Sequence, residues 1–370
     1  DVPEDEYARR ELVLRIFGSP DKRQIDGLGG ADPLTSKLAI IGPPRAQEEA
    51  QGTHLTYTFG QVEIDHPDID YLSLCGNISA AVGAYAVYEG LVRPQAPLTT
   101  VRAFNTNLNR VLTIEVPVAD GRPQEAGEYR VPGVPGTGAR ILIDFADTAG
   151  GATGRLLPTG NPVDTVEVEG FGPLAMSLLD IGNAHVFVRA ADLGLSGTET
   201  AAAIDADPAL RDLLERIRGA GALRMGMVSA AGRSREESPA TPLIGMVSPP
   251  ADYEDVLNKR TVAASEVDLV SRLMFMQQMH KTYAGTSTVC TGVASRIPGT
   301  LVHEMLRPRH ATGRNESEVR IGHPAGVIET ESEVVEEAGE LRVRRATLGR
   351  TARRIMEGTV FTPDAKQDAA

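Results

Sequence analysis

The sequence predicts an α/β protein made of two similar halves. Its 370 residues are more than one ordinary hydrophobic core encloses, which favours two domains. Two stretches of the same kind occur, at residues 70–92 and 284–300, and each passes from a glycine turn into a helix of small residues. Segments with the alternation of β-strands lie around both stretches. Together these observations predict one glycine-capped helix in each half.

The early stretch contains the first candidate functional group. It runs from a strand end at 71–74 through the turn residues Cys75, Gly76 and Asn77 into a helix that begins at Ile78. The helix is apolar on almost every side, which indicates burial. A buried helix directs its free N–H groups and the positive end of its dipole toward the cysteine, where they stabilise a thiolate or a bound carboxylate. On these residues alone, an inert cysteine packed in a turn is an equal alternative.

Composition excludes several classes of partner. The formal net charge of −13 disfavours binding to nucleic acid or to an anionic membrane. Two cysteines, Cys75 and Cys290, do not suggest a disulfide framework and suit a reducing cytoplasm. No leader pattern and no apolar run long enough to span a bilayer occurs in the sequence. We therefore expect a cytoplasmic protein without membrane or nucleic-acid partners.

The other elements follow from periodicity and from Gly and Pro breakers. The first half is predicted to contain a surface helix at 5–17 that ends at Gly18, strands at 35–41 and 54–64, a hairpin at 99–118 and a strand at 136–150. The second half is predicted to contain two strands at 176–194 joined by a turn at Gly182-Asn183, helices at 207–221 and 265–283, a strand at 243–247 and a broken strand at 318–331. Residues 342–363 are predicted as a strand, a basic stretch on a solvated helix face, and a last strand.

The breakers Pro158, Gly160 and Pro162 predict a crossover between domains. We divide the chain into a first domain at 1–157, a second at 158–344, and a segment at 345–370 that returns to the first.

The late stretch repeats the early one, with a turn at Gly285 and a small polar cap at Thr286 and Ser287. Two such helices lying side by side would aim both N-termini into one cleft and bind a di- or trianion. No dinucleotide fingerprint, P-loop or Gly-x-Ser-x-Gly motif occurs, and no histidine pair has metal-ligand spacing. Dehydrogenase, kinase and hydrolase functions therefore have no support, and no metal site is expected.

Six motifs together carry a family resemblance. They are QIDGLGG (24–30), TSKLAI (35–40), CGNISAAVGAYA (75–86), LLPTGN (156–161), YAGTS (283–287) and IGHPAG (321–326). With these motifs in this order, the sequence resembles the PrpF-type isomerases, which act on aconitate-like acids, over nearly its whole length. Family members usually open with a strand that carries an Arg-Gly-Gly-Thr-Ser-type motif. The sequence begins after that point, so either residues precede it or this member lacks that part of the site.

The resemblance implies a diaminopimelate-epimerase-like fold: two pseudo-equivalent domains, each a mixed sheet wrapped around a central helix, with the active site in the cleft between them. Epimerases of this fold use two facing cysteines. The first position matches Cys75, but the second falls at Ala284, and Cys290 lies further along the helix as a packing residue. Two-thiol racemisation is therefore not expected. PrpF-type members rely on a lysine in the TSK strand, which corresponds to Lys37; by residue type alone this lysine is predicted as an exposed edge residue.

The resemblance also implies the reaction: a 1,3-allylic proton shift in an aconitate-like unsaturated di- or tricarboxylate, with no cofactor. Lys37 is then the base and Cys75 the acid or second proton carrier. The expected substrate-binding residues are Gly76, Asn77, Asn183, Gly285, Thr286, Ser287 and His323. For His323, a structural histidine in a His-Pro turn is the alternative.

Two other functions stay open from the sequence. One is a racemase or epimerase that uses one thiol and a substitute base. The other is an inactive member that only binds tricarboxylates as an accessory protein, which the absent opening motif favours. The sequence does not choose among the unsaturated acids, and it leaves a homodimer open.

Overall fold

The computed structural model describes residues 2–49, 51–306 and 317–362. Its α-helices are α1 (Glu6–Phe17), α2 (Ala46–Glu49), α3 (Gly76–Tyr88), α4 (Ala201–Asp205), α5 (Pro208–Arg224), α6 (Ser234–Glu237), α7 (Gly285–Ala294) and α8 (Leu301–Glu304). The strands of the first half are β1 (Lys37–Gly42), β2 (Leu55–Val62), β3 (Ile69–Asp70), β4 (Leu98–Asn105), β5 (Arg110–Ala119), β6 (Arg122–Pro123) and β7 (Ile141–Asp144). The later strands are β8 (Asp164–Val168), β9 (Gly172–Ile181), β10 (Asn183–Arg189), β11 (Leu243–Ser248), β12 (Tyr253–Asp255), β13 (Arg260–Val262), β14 (Leu269–Phe275), β15 (Gln278–Met279), β16 (Glu318–His323), β17 (Gly326–Glu337) and β18 (Glu340–Arg350).

One continuous mixed sheet joins the two halves. Its order is β1-β2-β4-β5-β7-β18-β17-β16-β14-β11-β10-β9-β8, and β3, β6 and β15 pair at its sides. Each half contains a parallel pair beside antiparallel neighbours, β2 with β4 in the first and β10 with β11 in the second. The strands β12 and β13 form a separate hairpin.

Each half wraps its part of the sheet around one helix. In the first half α3 packs against β1, β2, β4, β5, β6, β7 and β18, and in the second α7 packs against β9, β10, β16, β17 and β18. Ala80 and Ala86 of α3 and Val289 of α7 are fully buried. The small side chains let strands approach the helix on every side, as the apolar composition predicts. The expected fold class, two similar halves each with a mixed sheet around a central helix, is confirmed.

Strand β18 lies where the halves meet. Its end pairs with β7 of the first half, with Gly349 opposite Leu142, and its beginning pairs with β17. The predicted domain boundaries stay a prediction, and parts of the predicted segments, at 307–316 and 363–370, lie outside the described residues.

Several local predictions are confirmed. Helix α1 begins after Asp5, whose carboxylate accepts the N–H of Ala8 at 2.8 Å, and it ends at Gly18 with a φ of 75°. The hairpin β4–β5, the turn at Gly182 and helix α5 also form where the sequence predicts them. Caps and turns depend on nearby residues, which is why local sequence suffices to find them.

The long helix predicted at 265–283 is wrong. The structure has β14 and β15 there, joined by a turn in which Met276 and Gln277 both have positive φ. Leu269 and Leu273 pack in the core that contains α7, whereas Met274 packs in a second core on the opposite face of the sheet. Opposite faces at odd and even positions are the period of a strand.

Two smaller predictions also fail. Residues 351–362 contain neither helix nor strand, so the basic stretch is not a helix face and no last strand follows it there. The strand expected at 71–74 is the short β3, which ends at Asp70. Helix α3 begins at Gly76, earlier than the predicted Ile78.

Candidate active site between two helix N-termini

Cys75 is the residue from which α3 begins. Its backbone is extended, with φ −120° and ψ 115°, and its carbonyl accepts the N–H of Ser79 at 3.0 Å. The side chain of Cys75 does not cap this end of the helix, so it leaves the first N–H groups without the usual N-cap acceptor. The side chain of Cys75 is 9% exposed. The thiol therefore lies at the positive end of a buried helix, as predicted.

The N-termini of α3 and α7 lie against each other. A Cβ atom placed on Gly76 would be 3.4 Å from the Cα of Gly285, and one placed on Gly285 would be 3.5 Å from the Cα of Gly76. The same added atoms would be 2.9 Å and 2.6 Å from the side chain of Leu348. Only glycine at both positions permits this approach. The side-by-side placement of the two helices is confirmed.

Lys37 reaches this place from the edge of the sheet. It is the first residue of the edge strand β1, it is half-buried, and its Nζ atom lies 3.5 Å from the Sγ atom of Cys75. The preceding residue, Ser36, donates to the buried side chain of Gln24 at 2.8 Å, and that amide donates to Ser19 at 3.1 Å. Although Lys37 is on an edge strand, its side chain therefore points inward to Cys75 and is not the exposed edge lysine that residue type predicts.

Arg350 is a site residue that sequence reasoning missed. It ends β18, is 5% exposed, and its Nε–H donates to the Oδ1 atom of Asn77 at 2.6 Å. Its guanidinium would be 3.2 Å from a Cβ atom on Gly285, so it lies at both helix N-termini. Among the described residues no carboxylate forms a salt bridge with it. Burial lowers the pKa of Arg350 to about 10, which leaves the group charged at neutral pH.

A signal for Arg350 exists in the sequence. The run Ala346–Gly349 before it contains no charged residue, and an arginine that ends such a run can continue a buried strand. The basic residues around that run directed the prediction to the surface instead.

Asn183 joins the two halves next to the thiol. Its Oδ1 atom accepts the N–H of Leu74 at 2.9 Å, and its Nδ2 atom donates to the carbonyl of Leu74 at 3.0 Å and to Thr286 at 3.1 Å. Leu74 directly precedes Cys75, so this side chain fixes the turn that carries the thiol against α7. The structure thus places Asn183 and Thr286 at the cleft with their side chains already bonded to protein groups.

Ser287 is held in the same way. Its hydroxyl lies 2.7 Å from the Nε2 atom of His185, whose Nδ1 atom is 2.8 Å from the carbonyl of Asn183. A ring nitrogen facing a carbonyl carries the proton, so Nδ1–H donates and Nε2 accepts from the serine. Burial lowers the pKa of His185 to about 4, which keeps the ring neutral. The hydroxyl of Ser287 is therefore engaged by a protein group.

The second thiol of the chain takes no part in this arrangement. Cys290 is fully buried in α7, where burial raises the pKa of its thiol well above the usual value. Ala284 occupies the position of α7 that Cys75 occupies on α3. A racemase-type pair of facing thiols is therefore not present among the described residues.

Within residues 2–49, 51–306 and 317–362, no group of three or more His, Cys, Asp or Glu side chains could hold a metal ion. No helix in the same residues combines the length and hydrophobicity required to cross a membrane.

The site combines an anion-binding end with a proton-transfer end. The two helix N-termini and the charged guanidinium of Arg350 favour a bound carboxylate. Beside them, an amine and a thiol in contact can exchange a proton with each other and with a bound molecule. This arrangement suits proton transfer at a carbon atom of a carboxylic acid.

Comparison with known proteins agrees with this chemistry. The family described as PrpF protein matches residues 1–363. 3-Methylitaconate isomerase of Eubacterium barkeri is 49% identical over 366 residues, which cover 99% of this chain and 93% of that protein. 2-Methyl-aconitate isomerase of Shewanella oneidensis is 40% identical and covers 96% of this chain and 89% of that protein. A crystal structure of methylitaconate-delta-isomerase superimposes with a TM-score of 0.81 at 49% identity, over 98% of this chain and 90% of that one.

These similarities define the chain as an isomerase. It belongs to the PrpF family, as its motifs indicated.

Proposed function

We propose that this isomerase catalyses a 1,3-allylic proton shift in an aconitate-like unsaturated di- or tricarboxylate, without a cofactor. Lys37 is the base, and Cys75 is the acid or second proton carrier. The observation that carries the proposal is the 3.5 Å contact between the Lys37 Nζ and Cys75 Sγ atoms beside two helix N-termini. The relatives named for methylitaconate and methyl-aconitate support the same class of substrate.

The reaction begins at a carbon atom next to the double bond. The nitrogen lone pair of Lys37 takes the proton, and the electron pair of the broken C–H bond enters a dienolate that extends into a carboxylate. The thiol of Cys75 then gives its proton to the carbon two positions along, and the C=C bond has moved. Finally the Lys37 ammonium returns a proton to the thiolate across their contact, which restores both groups. Positioned acids and bases contribute rate factors of about 10²–10⁴.

The negative charge of the dienolate needs stabilisation while the proton is absent. Arg350 and the N–H groups at the two helix N-termini supply positive charge and donors that are already in place before the reaction. Because the substrate's own carboxylates spread the charge, no electron-accepting cofactor is required. Asn77 holds the guanidinium through its Nε–H group and so orients it.

The contact between the two proton carriers distinguishes this proposal from racemisation. A racemase removes a proton from one face of a carbon and returns one to the opposite face, so its two groups must flank the substrate. Lys37 and Cys75 touch each other and therefore act on the same face. Removal at one carbon and delivery at a carbon two positions along suits such a pair.

The test is proton NMR in deuterium oxide with a panel of aconitate, methylaconitate, itaconate and oxalomesaconate isomers. We expect the wild-type protein to isomerise at least one acid and to incorporate solvent deuterium. Lys37→Ala should lose both signals while its circular dichroism and melting temperature stay close to wild type. The matched control is Lys281→Ala, which removes an exposed lysine whose Nζ atom lies 3.5 Å from Asp32. Wild-type exchange by Lys37→Ala would remove this lysine from the mechanism.

A further inference from the structure

His323 has a buried ring nitrogen that bonds to nothing in the described part of the chain. The residue is 1% exposed, and its Nε2 atom has no hydrogen-bond partner there. A buried polar atom left unpaired costs about 1–3 kcal/mol, so such an atom requires an explanation. The Nδ1 atom of the same ring, in contrast, accepts the N–H of Ala325 at 3.2 Å.

The hydrogen bond from Ala325 shows whether the unpaired Nε2 atom of His323 carries a proton. A neutral imidazole carries one proton, and the nitrogen that accepts a main-chain N–H cannot hold it. The proton of His323 is therefore on Nε2. The ring stays neutral because burial, together with Arg272, His280 and Arg350, lowers the pKa of His323 to about 3. The unpaired atom is thus a neutral N–H donor.

The ring that carries this donor lies near groups of the cleft, since Arg350 is among the charges that lower the pKa of His323. The ring of His323 is 6.2 Å from the ring of Tyr283, and Tyr283 directly precedes Ala284, where α7 begins. The side chain of Tyr283 is fixed by hydrogen bonds to Ser271 and Thr291, both at 2.9 Å. The ring of His323 therefore has a rigid neighbour in the residue that precedes the N-cap of α7.

A second histidine, the half-buried His280, has the same tautomer. His280 accepts the N–H of Thr282 on its Nδ1 atom at 3.1 Å, so its Nε2 atom also carries the proton. Burial and then Lys37 lower the pKa of His280 to about 4, which keeps this ring neutral too. The positive charge of Arg350 therefore acts on both histidines, and that of Lys37 acts on His280.

The surroundings indicate the kind of acceptor. Arg272 is 1% exposed and, like Arg350, forms no salt bridge with a carboxylate in the described residues. Its guanidinium stacks 5.0 Å from the centroid of the Tyr253 ring. The hydroxyl of Tyr253 accepts the main-chain N–H of His323. Two buried cations without carboxylate partners make an anionic acceptor more favourable than a neutral one.

We infer that the Nε2–H group of His323 donates to the substrate carboxylate that is remote from the reacting carbon. This contact selects acids with two or three carboxylates and adds no charge beside Lys37. The inference rests on the proposed function, because it assigns a role in binding the same substrate. It differs from that proposal in concerning binding and not proton transfer.

The direct test is heteronuclear NMR of Lys37→Ala protein labelled at its histidine nitrogens, titrated with trans-aconitate, itaconate and mesaconate. We expect this variant to bind the acid without turnover. Binding is read from the histidine signals themselves, so it is observed whether or not Lys37 is the base. The His323 signal is assigned by its absence in the double variant with His323→Gln. We expect its Nε2–H proton to move downfield when an acid binds. Binding that leaves this proton unmoved would overturn the inference, and so would failure of all three acids to bind.

Two substitutions separate the nitrogens of the ring. His323→Asn keeps an acceptor for Ala325 but removes the donor, and we expect it to weaken acid binding about 10-fold at an unchanged melting temperature. His323→Gln keeps a donor near the Nε2 position but loses the bond to Ala325. Its binding should stay within about 3-fold of wild type while its melting temperature falls.

The matched control is His66→Asn, which changes an exposed histidine and should alter neither quantity. Wild-type binding by His323→Asn would overturn the inference. Equal loss of binding in both His323 variants would do the same, because it marks a purely structural residue.

Discussion

The N-terminus of α3 and the N-terminus of α7 are equivalent positions with different contents. At α3, Cys75 faces Lys37 and Asn77 holds Arg350. At α7, Ala284 is the N-cap residue, as Cys75 is at α3. The next polar side chains are already bonded, Thr286 to Asn183 and Ser287 to His185. One helix end therefore presents reactive groups, and the other is filled by a closed hydrogen-bond network.

The difference shows how a duplicated fold can support one-sided chemistry. Two thiols, one on each helix, would attack a substrate from opposite faces. In the proposed mechanism the second proton carrier is instead Lys37 of strand β1, which contacts Cys75. At the end of α7, the side chains of Thr286 and Ser287 bond to Asn183 and His185. In the proposed function its main-chain N–H groups bind the anion. Substitutions at α3 should thus change the reaction rate, and substitutions around α7 should change stability.

The largest effect is expected from Cys75→Ala. Removing the thiol takes away one of the two proton carriers, so kcat should fall about 10²–10⁴-fold at an unchanged melting temperature. Proton NMR of the isomerisation measures the rate. Cys290→Ala is the matched control, because it removes the fully buried thiol of α7 and should lower stability by about 1 kcal/mol with little change in kcat. Wild-type turnover by Cys75→Ala would show that the two helix ends do not differ in this way.

The next effect concerns the network around α7 and appears as a dependence of stability on pH. The unfolded His185 binds a proton below its usual pKa of 6.5, whereas in the folded protein burial lowers that pKa to about 4. The unfolded state therefore holds more protons between these values, and stability falls as the pH is lowered. Between pH values above 6.5 and pH 4, the titration of this residue lowers the free energy of unfolding by about 3 kcal/mol.

Chemical denaturation at several pH values between 4 and 7 measures this effect. His185→Gln removes the titrating group, so the loss of unfolding free energy toward pH 4 should be smaller by about 3 kcal/mol. His280 and His323 still contribute to that loss in the same direction. His66→Gln changes an exposed histidine and should keep the wild-type slope. An unchanged slope in His185→Gln would contradict the burial of a neutral ring at this position.

The features that the sequence predicts are those that depend on neighbouring residues, and the missed ones depend on residues distant in the sequence. The two helix starts were found because glycine and small residues act locally. Arg350 was missed because its burial depends on strands β7 and β17, which are distant in the sequence. The direction of Lys37 came from family resemblance, since residue type alone favours an exposed edge lysine.

The failed helix at 265–283 has a different cause. Its leucines and methionines fit a helical period as well as a strand period. The turn between β14 and β15 uses Met276 and Gln277 in the left-handed region, where no glycine or proline marks it.

The smallest effect is expected from Ala284→Cys, which gives α7 the thiol that α3 already has. Ala284 is half-buried at the start of its helix, so a slightly larger side chain should change stability by less than about 1 kcal/mol. If Lys37 and Cys75 perform both proton transfers on one face, as we propose, kcat for isomerisation should change by less than about 10-fold. Proton NMR in deuterium oxide with L-proline and other amino acids should show no exchange of the α-hydrogen. If exchange does appear, a single thiol at the second helix end is enough to create two-faced chemistry, and the network around Asn183 and His185 is not what commits this chain to one face.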